Sequence, residues 1–91
     1  MKIVYDESKR RSNIAKHGYD FADLTLEFFA GSSVAAAKKN RMKAIGPFRG
    51  QTLSVVFFRL GSEGLALISM RPASRKETLL YAEYQKQTGH N

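Results

Sequence analysis

The segment Thr52–Leu60 constrains the fold more than any other part of the chain, because it is apolar on both sides of an extended backbone. Successive side chains of a β-strand point to opposite faces, so its odd-numbered and even-numbered residues face different layers. This pattern predicts a central strand with helices on one face and further chain on the other. With 91 residues, we expect one domain spanning residues 1–91.

Turn-forming residues divide the neighbouring chain into further short strands. Glycine-containing turns at 48–51 and 61–64 separate segments that are rich in β-branched and aromatic residues. The predicted strands are Ile3–Tyr5, Ser33–Ala37, Arg41–Phe48, Thr52–Leu60 and Leu65–Arg71. The last four strands predict an antiparallel meander.

Capping residues mark the predicted helices, which cover Glu7–His17, Asp20–Gly31 and Ser74–Lys86. Asp6 is suited to accept a backbone N–H of the first helix, and Gly18 is suited to the positive φ beyond its end. The third helix opens with a capping box, in which Ser74 and Glu77 bond each other's backbone N–H. The order β-α-α-β-β-β-β-α predicts an α+β fold, a small antiparallel β-sheet with helices packed on it.

Two further structural roles are expected from the sequence. Asn13 is predicted to bridge to the backbone with its side chain. The aromatic residues Phe21, Phe28, Phe57 and Phe58 are predicted to lie in the core, because no aromatic residue alternates with the basic ones in a pattern that would stack on bases.

Positive charge is concentrated in the middle of the chain. The net charge is +7, from 15 basic and 8 acidic residues. Residues 32–60 contain six basic residues and no acidic one, whereas residues 1–31 contain five of each. Such a field attracts a polyanion, which is a nucleic acid, an acidic protein segment or an anionic lipid surface.

The residue inventory argues against several classes of protein. The chain has no cysteine, and His17 and His90 are its two histidines, so neither a thiolate metal site nor a dedicated zinc site is expected. We predict no cofactor. The apolar runs Val55–Phe58 and Leu65–Ile68 are far shorter than the roughly 20 residues of a membrane span, and charges near Met1 argue against a secretory leader. We therefore expect a cytoplasmic protein without membrane contact.

Three stretches of the chain carry motifs at defined spacing. The first is Tyr5-Asp6-Glu7-x-Lys9-x₃-Asn13-x₂-Lys16-His17-Gly18-x₂-Phe21. The second is Arg41-x₃-Ile45-Gly46-x₃-Gly50-x₂-Leu53-x-Val55-Val56, and the third is Ile68-Ser69-x-Arg71-x-Ala73-Ser74-x₂-Glu77-x₃-Tyr81. The ordered set, which covers residues 3–84, resembles the BrnT-like toxin family.

This resemblance implies a function and a set of partners. BrnT-like proteins are toxins of bacterial type II toxin–antitoxin pairs, with a RelE-like fold and a metal-independent ribonuclease activity that arrests translation. The implied partners are RNA, including ribosome-associated mRNA, and a BrnA-like antitoxin in a complex of two toxins and two antitoxins. Operator DNA is expected to be bound only through the antitoxin.

Metal-independent RNA cleavage defines which residues to examine. The ribose 2′-hydroxyl attacks the neighbouring phosphate, which requires a base, an acid at the leaving oxygen and cations near the phosphorane oxygens. The catalytic candidates are His17, Arg41, Arg59, Arg71, Arg75 and Tyr81. The RNA-binding candidates are Lys9, Lys38, Lys39, Lys43 and Arg49, with Lys9 also considered for proton transfer. We expect the four arginines to lie on one face of the sheet.

Several candidates have a structural alternative that the sequence leaves open. His17 would equally cap the last carbonyls of the first helix, and Arg71 would equally form an ion pair with Glu77. Tyr81 would equally be a packing residue anchored by its hydroxyl. Arg41 and Arg59 would equally be solvated strand ends, whereas Arg75 lies in a first helical turn, where the helix dipole disfavours a cation.

One departure from the family pattern affects the expected activity. The family has an arginine where this chain has Ala66, and a missing cation beside a phosphorane costs about 2–4 kcal/mol of transition-state stabilisation. Two other functions therefore stay open. One is a catalytically weak or inactive module that binds the antitoxin and acts as a co-repressor, and the other is a basic nucleic-acid-binding domain.

Overall fold

The structure, a computed structural model, describes residues 1–88, and His90 lies outside the described residues. The strands are β1 (Lys2–Val4), β2 (Ser33–Ala36), β3 (Met42–Phe48), β4 (Gln51–Leu60) and β5 (Gly64–Pro72). The helices are α1 (Glu7–His17), α2 (Leu26–Ala30) and α3 (Arg75–Thr88), with 3₁₀ turns at Phe21–Asp23 and Lys38–Asn40. The predicted order β-α-α-β-β-β-β-α is confirmed.

The five strands form one sheet in the order β1-β5-β4-β3-β2, with β4 at its centre as predicted. Strands β2 to β5 form the predicted antiparallel meander. The sheet is mixed rather than wholly antiparallel, because β1 runs parallel to the start of β5, with Lys2 opposite Gly64. Two strands joined by a hairpin must pair antiparallel. Strands β1 and β5 are separated along the chain by all the other strands, so the direction of β1 is not constrained in this way.

The main core lies on the face of the sheet that carries Leu53 and Val55, which we call the core face. Phe21, Leu24 and Phe28 pack there and are 0–6% exposed. Phe57 is buried as predicted, but Phe58 points to the opposite face and is only half-buried. That opposite face carries Ser54 and Val56 and is partly covered by α3; we call it the α3 face.

The predicted helix from Asp20 to Gly31 is interrupted. Leu24 and Thr25 have extended backbone angles, with ψ of 141° and 167°, so the segment is a 3₁₀ turn followed by the short helix α2. Threonine is β-branched and loses side-chain freedom inside a helix, which fits the interruption at Thr25, although its hydroxyl does not cap α2. Phe21, Leu24 and Phe28 still pack in the core, whereas Leu26 is 41% exposed.

Helix α1 lies beside an edge of β5 that no described strand covers. Strand β1 pairs with β5 only as far as Ala66. Beyond that point, the Asn13 side chain donates to the Met70 carbonyl at 2.8 Å and accepts from the Met70 N–H at 3.0 Å. Asn13 also donates to the Tyr19 carbonyl at 3.0 Å. The predicted bridge to the backbone is confirmed, and one amide takes the place of a neighbouring strand.

Local caps fix the ends of α1 and α3. The Asp6 carboxylate accepts the Ser8 N–H at 3.0 Å, and Gly18 has φ of 76°. The capping box of α3 is formed, since the Ser74 N–H donates to Glu77 at 2.9 Å and the Glu77 N–H donates to the Ser74 hydroxyl at 3.1 Å. Helix α3 ends at Thr88, two residues beyond the predicted end at Lys86. Within residues 1–88, no helix has the length and apolar character of a membrane span.

We predict that Asn13→Ala destabilises the fold by about 2–4 kcal/mol, because it leaves a buried N–H and two carbonyls without their partner. Urea unfolding followed by circular dichroism would measure the change in the free energy of unfolding. Ser12→Ala, an exposed change on the same helix, is the control and should shift it by less than about 0.5 kcal/mol. Equal stability of both variants would show that the Asn13 bridge does not hold α1.

Candidate functional site

A cleft between α1 and β5, which we call the α1 cleft, gathers basic and polar side chains in a volume of about 210 Å³. Its lining residues are Lys9, Ser12, Asn13, Lys16, His17, Ile68 and Ser69. Most of the α1 members are three or four residues apart, which places them on one face of the helix. That face is turned to β5 because Asn13 bonds the Met70 backbone.

The α1 cleft is positively charged. Two ammonium groups and an imidazole line it, and none of its lining residues in the described part of the chain is acidic. Lys16 and His17 occupy the last turn of α1, where the helix dipole favours cations. The cleft therefore offers an anion two cations and a group able to transfer a proton.

The position of His17 bears on its two possible roles. The backbone N–H of Gly18 caps α1 by donating to the Ile14 carbonyl at 2.8 Å. The His17 side chain is exposed and lines the α1 cleft. Within residues 1–88 the His17 side chain donates no hydrogen bond to the terminal carbonyls of α1, and the imidazole lies where an anionic ligand in the cleft would contact it.

A β-bulge shapes the strand side of the cleft. Val56 lies opposite Ser69, but the next residue of β4 lies opposite Leu67, so Ile68 is the extra residue. Bulges bend a strand and change the direction of a side chain, and they occur often beside active sites. Here the bulge brings Ile68 and Ser69 together at the cleft.

Lys9 and His17 are the cleft residues that the sequence predicts as functional. Lys16 and Ser69 stand in its motifs without a predicted role, and Ser12 lies outside the motifs. The spacing from Lys9 to Lys16, seven residues or two helical turns, is a signal that would have found Lys16. Ser69 belongs to the third motif, but its position at the cleft depends on the bulge, which the sequence does not indicate.

A second polar cluster lies under the start of α3. The Glu77 carboxylate, which is 7% exposed, accepts one hydrogen bond from each terminal nitrogen of Arg71, Nη1 at 2.8 Å and Nη2 at 2.9 Å. It also accepts the Lys43 ammonium at 2.8 Å and the Ser54 hydroxyl at 3.3 Å. Arg71 therefore forms the ion pair that the sequence left open as an alternative, and Lys43 shares the same carboxylate.

These contacts fix the charge state of the cluster. The Arg71 guanidinium holds the pKa of Glu77 well below its usual range, and Lys43 and the Ser74 N–H lower it further against the opposing effect of burial. The same bidentate pair raises the pKa of Arg71. Two cations proposed for RNA are thus already bonded to a protein carboxylate.

The four candidate arginines do not share one face, so that expectation is wrong. Arg71 bonds Glu77 on the α3 face. Arg41 is two residues before Lys43 on an extended backbone, so its side chain is directed to the same face. Arg75 is exposed in the first turn of α3. Arg59 is an odd-numbered residue of β4, like Leu53 and Val55, so it is on the core face. It lies near the end of β4, away from Ser54. Alternation along β4 separates Arg59 from the others.

Tyr81 and Arg49 have structural partners. Tyr81 is 8% exposed, and its hydroxyl donates to the Gly31 carbonyl at 2.9 Å. Burial raises the pKa of Tyr81, which opposes a role as a base. Arg49 is 3.5 Å from Asp23 and lies over the ring of Phe48, 4.9 Å from its centroid.

A larger groove lies between α3 and strands β2 and β3, and we call it the α3 groove. Its volume is about 750 Å³. It is lined by Ser33, Ala35, Ala36, Ala37, Lys38, Lys39, Arg41, Lys43, Ile45, Val56, Glu77 and Leu80. The predicted RNA-binding residues Lys38, Lys39 and Lys43 are therefore together with Arg41, in a different place from Lys9 and His17.

Comparisons with known proteins place this geometry in context. Residues 5–77 match the sequence profile of a family described as "Ribonuclease toxin, BrnT, of type II toxin-antitoxin system". The crystal structure of the Brucella abortus ribonuclease toxin BrnT, at 1.1 Å resolution, is similar with a TM-score of 0.78 and 54% sequence identity. The match covers 82% of this chain and 99% of the Brucella chain. Among curated proteins, none matches this sequence.

We predict that Glu77→Gln lowers the free energy of unfolding at neutral pH by about 1–3 kcal/mol, because it weakens hydrogen bonds between charged groups. A carboxyl group whose pKa is depressed by folding stabilises the fold at pH values above its unfolded pKa. This stabilisation is lost progressively as the pH falls from the unfolded pKa toward the depressed folded pKa. The difference between native and variant should therefore shrink below about pH 4.5. Urea unfolding from pH 7 to pH 3 would measure it.

Glu83→Gln is the matched control for this experiment, because Glu83 is exposed on the same helix. It should leave the stability unchanged at every pH. A Glu77→Gln effect that stays constant with pH would contradict an ionised, stabilising carboxylate at Glu77.

Proposed function

Because the chain belongs to the BrnT family of ribonuclease toxins from type II toxin–antitoxin systems, we propose that it cleaves RNA at the α1 cleft without a metal ion. The observation that carries this proposal is the set of cleft residues, two lysines and a histidine with no acidic side chain among the described residues that line it. These groups match the needs of attack by a 2′-hydroxyl on its own phosphate.

The proposed reaction assigns a role to each cleft residue. The ribose 2′-hydroxyl attacks the adjacent phosphorus, the bond to the 5′-oxygen breaks, and the products are a 2′,3′-cyclic phosphate and a free 5′-hydroxyl. The attacking 2′-oxygen loses a proton and the leaving 5′-oxygen gains one; His17 transfers one of these protons, and solvent water transfers the other. Lys9 and Lys16 stabilise the charge on the phosphorane, and Ser12 and Ser69 hydrogen-bond the phosphate or ribose.

The remaining basic residues act at a distance from the bond that breaks. We assign Arg71 a structural role, in which its guanidinium bonds Glu77 and fixes α3 to the sheet. The exposed part of the guanidinium lies beside the path of the RNA along the α3 face. Arg41, Arg59, Arg75 and Arg49 raise the positive potential that attracts RNA. Tyr81 anchors α3 through Gly31 rather than transferring a proton.

The position of Ala66 bears on whether this chain is active. Ala66 is 8% exposed, lies opposite Phe58 and pairs with Val4 of β1. It is not among the residues that line the α1 cleft. We therefore propose that the loss of the family's arginine at Ala66 leaves the cleft's own groups in place and the chain active.

The family also implies partners. A type II pair has a protein antitoxin, and the substrate of a ribonuclease is RNA. We propose that a BrnA-like antitoxin forms a complex of two toxins and two antitoxins, that operator DNA binds only through the antitoxin, and that the toxin cleaves mRNA in the cytoplasm and so inhibits translation.

We predict that His17→Ala lowers the rate of RNA cleavage about 100-fold or more, since a positioned general acid or base contributes about 10²–10⁴. The double variant Lys9→Ala, Lys16→Ala should reduce both rate and RNA affinity. Lys76→Ala, an exposed lysine on α3, is the control and should cleave normally. A fluorescent RNA oligonucleotide with excess chelator would measure the rates.

The chemistry has its own control. An oligonucleotide with 2′-deoxyribose at the cleaved position should resist the protein, because it lacks the attacking group. If His17→Ala cleaves as fast as Lys76→Ala while Arg41→Ala and Arg75→Ala do not, the catalytic site is on the α3 face and the present proposal is wrong.

A further inference from the structure

The α3 groove has no role in the proposed chemistry, although it is the larger concave surface. Four cations surround it, from Lys38, Lys39, Arg41 and Lys43. Its acidic lining residue, Glu77, is already bonded to Arg71 and Lys43. Lys43 is therefore compensated, whereas Lys38, Lys39 and Arg41 form no ion pair within residues 1–88 and leave positive charge around a lining of alanine, isoleucine, valine and leucine side chains.

The composition of this lining selects between two classes of polyanion. Single-stranded RNA gains much of its affinity by stacking bases on aromatic rings. None of the described residues that line the groove is aromatic. An amphipathic protein segment, in contrast, would bury aliphatic side chains against Ala35, Val56 and Leu80. It would place its carboxylates beside Lys38 and Lys39, which form the rim of the groove.

The backbone on the rim is held in an uncommon conformation. Lys39 and Asn40 both have positive φ, 60° and 62°, which non-glycine residues adopt rarely. Such conformations persist where the surrounding structure enforces them and are frequent at binding sites. This turn carries Lys38 and Lys39 to the groove, beside β2, which is an edge strand of the sheet.

We propose that the α3 groove is the docking site for an acidic, amphipathic segment of the protein antitoxin. This inference rests on the proposed function only in taking the partner to be an antitoxin; the groove itself is defined by its residues. The charge of the rim and the aliphatic floor both fit such a segment.

A row of paired strand residues connects the groove with the α1 cleft, which gives the docked segment a means of inhibition. Ala35 lies opposite Lys43, Lys43 opposite Val56, and Val56 opposite Ser69. This row crosses four strands of the α3 face, about 14 Å at the usual strand spacing. It begins in the groove and ends at a residue of the α1 cleft. A segment that extends along the row blocks the path of RNA to the cleft.

The wall that α3 contributes to the groove includes an exposed apolar side chain. Leu80 lies one turn after Glu77 on the same helix, lines the groove and is 54% exposed. We assign to Leu80 a part in binding the antitoxin segment, because its side chain offers the segment an apolar contact beside the basic residues of the groove.

Matched variants on the same helix test the apolar part of the proposal. Leu80→Glu should weaken binding of the purified antitoxin at least about 10-fold, because it places a carboxylate in the apolar contact and against acidic side chains. Leu79→Glu is the control: Leu79 is 62% exposed and does not line the groove, and binding should change less than about 2-fold. Isothermal titration calorimetry without RNA would measure both.

A second pair tests the charges. Lys38→Glu should weaken antitoxin binding and reduce its salt dependence, whereas Lys76→Glu, an exposed change outside the groove, should not. In the wild-type toxin, the backbone amides of residues 33–43 should also exchange with solvent more slowly when the antitoxin binds. Circular dichroism of each variant establishes that it is folded.

The outcomes separate this inference from the proposed function. His17→Ala should bind the antitoxin normally, and Leu80→Glu should still cleave RNA while escaping inhibition. Absence of cleavage by the wild type, with groove-dependent antitoxin binding, would refute the nuclease site and support the docking site. Normal antitoxin binding by both groove variants would overturn the docking site. Loss of RNA affinity alone in Lys38→Glu would identify the groove as an RNA surface.

Discussion

One side-chain amide determines where the basic residues of α1 lie. Asn13 bonds both backbone groups of Met70, at 2.8 and 3.0 Å, at a stretch of β5 that β1 does not reach. Because a buried backbone N–H or carbonyl without a partner is costly, α1 is held against this edge in one rotational setting. Lys9, Lys16 and His17 are then turned to the same cleft as Asn13, and the arrangement of the proposed active site follows from a structural hydrogen bond.

The charges of the protein divide into two groups with different surroundings. Arg71 and Lys43 share the nearly buried carboxylate of Glu77, and Arg10 bonds both Asp20 and Glu7. These cations fix α3 to the sheet and the 3₁₀ turn to α1. The cleft lysines and His17 have no such acidic neighbour among the described lining residues. A count of basic residues does not distinguish these groups, whereas their partners do.

Features set by local chemistry could be predicted from the sequence. The caps at Asp6, Gly18 and Ser74 depend on residues a few positions apart, and the two apolar faces of β4 identify the central strand. Features set by distant contacts could not. The parallel pairing of β1 depends on β5 at the far end of the meander, and the bulge at Ile68 depends on the register with β4.

The candidate site shows the same division. Lys9 and His17 were proposed from a local motif, and they meet at one cleft because a helix places residues at this spacing on one face. The four arginines were grouped by residue type, although each is on a different element or strand position. Because successive side chains along a strand point to opposite faces, Arg59 is on the core face and Arg41 is on the α3 face. Residue type attracts RNA to a surface, but the backbone decides which cations reach one phosphate. In this protein that distinction separates the α1 cleft, whose lysines and histidine share one face of a helix, from the candidate arginines, which lie on different elements.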